Sequence, residues 1–328
     1  MTELIRIGII GTGFAAQRRA EAFAEDDRAE VIAVAGHRPE SRDTFCQTYA
    51  VQGYDSPQTL IANPDIDLVV ICNINAEHGN LAQAALAADK HVLVEYPLSL
   101  NPEQAQYLIT LAKQKNKLLH VEHIELLGGL HNAIREWLPQ IGNVFYARYS
   151  TINPQRPAPD KWTYHKQLFG FPFSGALSRF HRFTDLFGKV NTVNCYTRYW
   201  ERENPDQYSA CLNHAQLQFE TGLLADVIYG KGEVFWQPNR DFELHGDQGT
   251  LIFVGSEGKL VRGEEETPIE VGSRRGLFAK DTTLVLDYLM ANKPLYLTVE
   301  SSYYATRVAD AARVAAETGK TIFLTNNK

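Results

Sequence analysis

The sequence predicts a two-domain α/β protein. A dinucleotide-binding domain built on a doubly wound parallel sheet is expected over residues 1–124. An α+β domain with a large, mostly antiparallel open sheet follows over 125–328. Three observations carry this. The chain starts with an apolar strand that runs through Gly-x-Gly-x-x-Ala into a helical pattern. Strand and helix patterns then alternate as far as Glu122. Beyond Glu125 the pattern changes to long strands in which polar and apolar residues alternate, the mark of antiparallel pairing with one polar face.

In order, Ile5–Ile10 reads as a strand and Phe14–Ala24 as a helix. Glu30–Ala35 is a second strand, Pro39–Tyr49 a helix, and Asp55–Ile61 a short helical turn. The unbroken apolar run Leu68–Cys72 suits a parallel strand buried on both faces. Helix Ala76–Ala88, strand His91–Glu95, helix Pro102–Lys115 and strand Leu118–Glu122 complete the first domain. In the second, Asn143–Asn153, Thr192–Glu201, Tyr208–Phe219 and Leu223–Lys231 read as long strands. Asp241–His245, Thr250–Val254 and Lys259–Val261 read as shorter ones. Helices Ser174–Phe187 and Gly276–Ala291 are expected to cover one face of that sheet. Segment Asn153–Gly170 reads as a long surface loop and Glu264–Glu266 as a solvated acidic turn. The last helix, Ser301–Thr318, stops at Gly319, a natural C-cap, and is free to pack back on the first domain.

Composition narrows the class. A net charge of -7 argues against a general nucleic-acid surface. Cys46, Cys72, Cys195 and Cys211 are far apart and lack metal-ligand spacing, so reduced thiols in a cytoplasm are expected and no metal is. The chain opens on a strand rather than a signal-peptide pattern, and no apolar run is long enough to span a membrane.

The turn after the first strand reads Gly11-Thr-Gly13-Phe14-Ala15-Ala16. Gly11 permits the tight turn, Gly13 lets backbone approach a pyrophosphate, and Ala16 lets helix pack on strand. The helix start, with Phe14 and Ala15, offers N–H groups to phosphate. A carboxylate at the end of the second strand would select NAD. Here that strand ends Gly36-His37-Arg38, which suits the 2′-phosphate of NADPH, with NADH weaker.

Four segments resemble the glucose-fructose oxidoreductase / inositol dehydrogenase family. They are the fingerprint, Asn73-Ile-Asn-Ala-Glu-His78, Ala88-Asp-Lys-His-Val-Leu-Val-Glu95-Tyr96-Pro97 and Ala316-Glu-Thr-Gly-Lys320. The resemblance covers nearly the whole chain. It implies a nucleotide-binding domain followed by an open sheet whose face lines the active site. It also implies cofactor contacts from Cys72, Asn73, His78, Glu95 and Tyr96. Two departures stand out. Most dehydrogenases of the family carry Glu-Lys-Pro where this chain has Glu95-Tyr96-Pro97. They also carry Asp-x-Gly-x-His where this chain places Arg179 and Phe183 in Ser174-Gly-Ala-Leu-Ser-Arg179-Phe-His181-Arg182-Phe183. Alcohol oxidation needs a base for the hydroxyl proton, and both usual candidates are missing.

Glu95-Tyr96-Pro97, His120-Val-Glu122-His123-Ile-Glu125 and Phe169-Gly-Phe-Pro-Phe-Ser-Gly-Ala-Leu-Ser-Arg179 together resemble the tetrapyrrole-reducing branch of that family. Its chemistry moves a hydride from NADPH to the central methine carbon of a linear tetrapyrrole, where no alcohol proton must be removed. The resemblance implies catalytic roles for Arg179 and Tyr96. It implies substrate contacts from Glu122, His123, Glu125, Phe169, Arg179 and Arg182. Arg179 is expected to stack on a pyrrole and stabilise negative charge. Tyr96 either donates a hydrogen bond or only packs. His78 either caps its helix or meets the cofactor, and Arg182 is either solvated or a ligand. A sugar or cyclitol dehydrogenase with an altered base and a non-catalytic NADPH-binding regulator remain alternatives. The outer face of the second sheet could also form a homodimer.

Overall fold

The computed structural model describes residues 4–324. The chain divides into two compact units. One takes the chain up to Leu127 together with Arg275–Tyr303; the other takes Gly128–Arg274 with the chain from Tyr304.

The first unit holds β1 (Ile5–Ile10), α1 (Phe14–Ala24), β2 (Ala29–Ala35), α2 (Pro39–Tyr49), β3 (Gln52–Tyr54), α3 (Pro57–Ile61), β4 (Leu68–Ile71), α4 (Asn75–Ala87), β5 (His91–Glu95), α5 (Pro102–Lys115) and β6 (Leu119–Glu122). The strands pair in parallel in the order β3-β2-β1-β4-β5-β6. Successive strand residues point to opposite faces, and both faces are buried. Ile10, Val69, Ile71, Val92 and Val94 pack beneath α3, α4 and α5. Ile7, Ile9, Val34, Val70 and Leu93 pack beneath α1 and α2 on the other side.

The second unit holds α6 (Gly129–Trp137), β7 (Val144–Pro154), α7 (Lys166–Phe169), α8 (Pro172–Gly175), α9 (Ser178–Phe187), β8 (Val190–Glu201), β9 (Tyr208–Phe219), β10 (Leu224–Gly232), β11 (Asn239–Gly246), β12 (Gly249–Val254), β13 (Glu257–Arg262) and β14 (Glu265–Glu270). The remaining elements are α10 (Leu277–Ala291), in the first unit, α11 (Val299–Thr318), which the unit boundary crosses, and β15 (Ile322–Phe323). Nine strands form one sheet in the order β14-β13-β12-β11-β7-β10-β9-β8-β15. Every pair is antiparallel except β7 with β10, which run parallel. Helix α9 covers one face: Phe180 meets Phe173 at 4.6 Å and Phe183 stacks on Phe242 at 5.3 Å.

The structure corrects four expectations. Helix α10 does not cover the second sheet. Its Val285 and Leu286 join the core around Ile7 and Ile9, and its Asp281 is buried on Arg19 of α1. Apolar periodicity shows that a helix has a buried face, not which partner buries it. The expected helix Ser174–Phe187 is broken at Ala176 and Leu177. Gly175 lies so close to the Phe169 ring that a Cβ there would sit 2.2 Å from it. Segment Asn153–Gly170 is not a surface loop. Ala158, Tyr164 and Phe169 are buried, and Trp162–Tyr164 and α7 are helical turns. The acidic turn is shorter than expected: Gly263, at φ +62°, and Glu264 form it and all three glutamates are exposed, but Glu265 already begins β14, which pairs with β13. Gly319 ends α11 at φ +68°, as expected of a C-cap.

Candidate active site

At the first strand-to-helix turn, Gly11 has φ +119°, and a Cβ there would lie 2.4 Å from the Cys72 carbonyl oxygen. Only glycine fits such a position. Gly13 shows the other requirement, because nothing lies within 4 Å of where its Cβ would be. Open backbone at the start of α1, with unpaired N–H groups, is a cradle for a pyrophosphate. Phe14 is exposed and Ala15 half-buried on that first turn, while Ala16 is buried against the sheet. At the end of β2, His37 and Arg38 are both exposed. Arg42 lies nearby but is already paired with Asp55 at 2.5 Å and Asp43 at 3.2 Å. The residues present therefore fit a phosphate-bearing dinucleotide.

Asn73 and His78 flank the start of α4. His78 is fully buried, with Nδ1 donating to the Pro97 carbonyl at 2.8 Å. Its Nε2 lies 3.3 Å from the Asn73 carbonyl. Burial holds the ring below its usual basicity, so it is neutral. A neutral ring has one N–H, committed here to Pro97. His78 therefore joins the loops after β4 and β5 and presents no free donor.

Strands β5 and β6 end side by side. Glu95 pairs in register with Glu122, and the Tyr96 ring stacks on His123 at 5.2 Å with an interplanar angle of 8°. Glu95 lies 3.1 Å from Arg19, a wholly buried cation that also grips Asp281 at 2.5 Å. Burial, followed by the charge of Glu95, pushes the Glu122 carboxyl well above its usual range. Its Oε1 accepts the Ile124 N–H at 2.6 Å. His123 is buried too, with Nε2 at 2.8 Å from Ser302 Oγ. The expected substrate-facing trio is therefore split. Glu122 and His123 are buried within the unit, His123 stacked on Tyr96, and only Glu125 of the three is partly exposed. All three reach the end of the last parallel strand as expected, but the chain turns inward there.

In the second unit, Arg179 is half-buried on the first turn of α9. Its Nε donates to Thr151 Oγ1 at 3.1 Å and its Nη1 to Ser178 Oγ at 3.3 Å. The guanidinium lies 4.8 Å from the Tyr229 ring centroid. Thr151 and Tyr229 are register partners on β7 and β10, so one place in the sheet orients the whole group. Arg182 is neither solvated nor presented outward. It is 1% exposed, 5.8 Å from the Tyr149 ring. Phe169 is buried as well, against Trp162 and Gly175. Both were expected to meet substrate, but helical spacing does not say which face is covered. His181 is buried and held neutral, its pKa pushed down to about 4 by burial.

Sequence reasoning missed Thr151, Tyr229, the Arg19–Asp281 pair and Lys231. Lys231 had a signal, since it occupies an inward position of an alternating strand. Among the described residues, no group of three or more His, Cys, Asp and Glu side chains could hold a metal ion. No helix of the described residues is long and apolar enough to cross a membrane.

A dinucleotide cradle at the end of a parallel sheet, followed by an open sheet carrying a fixed arginine, defines an oxidoreductase built for nicotinamide chemistry. Residues 5–123 match the oxidoreductase family with an NAD-binding Rossmann fold, and residues 138–324 match the C-terminal alpha/beta domain of that oxidoreductase family. The chain belongs to this family. It is 56% identical to the biliverdin reductase of Synechocystis sp. PCC 6803, solved in complex with biliverdin and NADP+. The match covers 95% of this chain and 99% of that one, with a TM-score of 0.94. It is 27% identical to mouse biliverdin reductase A over 72% of this chain and 70% of the relative. It is 29% identical to a dTDP-3,4-didehydro-2,6-dideoxy-alpha-D-glucose 3-reductase of Saccharopolyspora spinosa, over 77% of this chain and 75% of the relative.

Proposed function

We propose that this chain reduces biliverdin to bilirubin with NADPH. The observation that carries the reading is the 56% identity, over nearly the full length of both chains, with a biliverdin reductase solved with biliverdin and NADP+. When bound, NADPH supplies the hydride that adds to the central methine carbon of the substrate, and a pyrrole nitrogen takes a proton from solvent.

The residues divide the work. Gly11, Gly13 and the start of α1 hold the pyrophosphate, and Arg38 with His37 reads the 2′-phosphate. Glu95, anchored on Arg19, and His78, anchored on Pro97, fix the loops that carry Tyr96 and Asn73. Arg179 is the cation that stabilises negative charge on the pyrrole system as hydride arrives. Three contacts orient it beforehand, so little reorganisation accompanies the reaction. A tyrosine at 96 in place of the family's usual lysine suits a reaction with no alcohol proton to remove. We further place the enzyme in the cytoplasm and assign the outer face of the large sheet, where Tyr196 is exposed, to a homodimer contact.

The test is the visible spectrum of purified protein mixed with biliverdin and either NADPH or NADH. Conversion to bilirubin, faster with NADPH, is expected. Oxidation of a sugar or cyclitol in a parallel assay with NADP+, with no bilirubin formed from biliverdin, would support the altered-base dehydrogenase. NADPH binding with no turnover of either substrate would support a regulator. Arg179→Ala should lower kcat by on the order of a hundredfold or more while leaving NADPH affinity intact. Arg179→Lys should recover part of that, because a point charge does not reproduce a flat, multi-donor group. A rise in KM alone would make Arg179 a clamp for a propionate instead.

A further inference from the structure

Lys231 lies near the end of β10, two residues beyond Tyr229, and is 6% exposed. Its ammonium is 3.9 Å from the Phe169 ring centroid, 4.6 Å from Tyr164 and 5.3 Å from Tyr208. Nζ donates to the Thr163 carbonyl, which also accepts the Tyr208 hydroxyl at 3.0 Å. Among the described residues the ionisable groups acting on it are Cys211 and Arg179, and no carboxylate is among them. A buried lysine is normally paired with an anion. Here aromatic faces take that place, and the positive charge is left uncancelled beside Arg179.

The cage also reaches Arg179 mechanically. Phe169, under the ammonium, presses on Gly175, the last residue of α8, and Arg179 lies just beyond on the first turn of α9. On the strand side, Lys231 and Tyr229 share a face of β10, and the guanidinium of Arg179 lies over Tyr229.

We propose that Lys231 is a positioning residue of the reductase site: its caged ammonium seats the Phe169 segment that sets Arg179, and adds a second positive charge behind that arginine for an anionic, propionate-bearing tetrapyrrole. This rests on the reading of Arg179 given above.

The charge is titratable in a useful range. Burial lowers the Lys231 pKa to about 8. The groups facing it stay silent there. Burial raises the Cys211 thiol on β9 to about 11 and the Tyr164 phenol to about 12, and raises Tyr208 further. Arg179 remains charged. Activity should therefore fall as pH rises through about 8, where the ammonium deprotonates. Stability should move the other way. A lysine whose folded pKa lies below its unfolded value binds fewer protons folded than unfolded between about 8 and 10.5, so this group makes the fold more stable as pH rises there. A purely structural lysine would not separate the two.

The experiment measures kcat and KM for biliverdin with NADPH from pH 6 to 10, with urea midpoints at each pH, for the wild type, Lys231→Met and Lys231→Arg. The wild type should lose about tenfold in rate around pH 8 without a fall in urea midpoint, the scale on which a residue that does not touch the ligand modulates a site. Lys231→Met should sit about tenfold below the wild type at pH 7, lack that alkaline limb, and bind NADPH normally. Lys231→Arg should restore the rate and carry it unchanged to pH 10. An alkaline limb that persists in Lys231→Met, or wild-type kinetics in a folded Lys231→Met, overturns the proposal. Should Lys231→Met not fold, the wild-type profile and Lys231→Arg decide: no limb near pH 8, or the same limb in the arginine variant, overturns it. If Arg179→Ala is also fully active, the failure lies with the site reading and not with Lys231 alone.

Discussion

Replacing Asp281 by asparagine tests how the first unit holds the end of its sheet that carries Glu95 and Tyr96. Arg19 and Asp281 are both fully buried, and the carboxylate receives Arg19 Nη1 at 2.5 Å and His120 Nε2 at 2.8 Å. Burial alone would raise the Asp281 carboxyl; Arg19 and His120 outweigh it and hold the group far below its usual range. Asparagine has the same shape but carries no charge, so Arg19 would keep only Glu95 as a counter-ion. Breaking a buried ion pair costs about 3–5 kcal/mol. Because Glu95 remains and the new amide oxygen still accepts one hydrogen bond, the lower end applies, about 3 kcal/mol. For a unit of this size that is a fall of roughly 6–12 °C in Tm. The assay is thermal unfolding at pH 7 in low salt, with kcat at 25 °C alongside. The rate should drop as well, since Glu95 precedes Tyr96 and would be drawn toward the uncompensated arginine. Refolding to the wild-type Tm within a degree would refute the reasoning and show that Glu95 alone satisfies Arg19.

Arg38→Ala should raise the KM for NADPH roughly tenfold or more, the cost of one charge-assisted contact, and leave NADH little changed; equal losses with both cofactors would remove Arg38 from the 2′-phosphate. Tyr96→Phe keeps the ring stacked on His123 and should hold activity within about tenfold, since a lost hydrogen bond is worth roughly 0.5–1.5 kcal/mol. A thousandfold loss of kcat in a stable, NADPH-binding variant would assign chemistry to the phenol. His181, neutral in the fold with a pKa near 4 against 6.5 unfolded, should make the fold lose stability as pH falls from 6.5 to 4. The loss from this group is on the order of 3 kcal/mol, and urea midpoints of His181→Gln should fall less steeply over that window.

The outline of both sheets was legible in the sequence because strand and helix periods differ and because buried parallel strands are continuously apolar. The Gly11–Gly13 turn was legible for a stricter reason. Backbone at φ +119° pressed against the Cys72 carbonyl admits no side chain, so the residue type itself reports the geometry. The preference for NADPH was read from what is missing, a carboxylate at the end of the second strand. Three short strands escaped. Gln52–Tyr54 and Ile322–Phe323 are too brief to show a period, and Glu265–Glu270 is hidden by its run of acidic residues.

Which side chains meet solvent was decided only by the tertiary structure. Arg179 and Arg182 are three residues apart on one helix, yet one is half-buried over Tyr229 and the other wholly buried near Tyr149. Glu122 and Glu125 differ in the same way at the end of one strand. Sequence sets the spacing of such pairs; the packing of distant segments sets their exposure. The same holds for Asp281, which shares a charge with Arg19 from 262 positions away, and for Lys231, caged by three rings from two distant segments. Local patterns specify the local backbone, while the dielectric surroundings of a charge depend on whatever the rest of the chain folds around it.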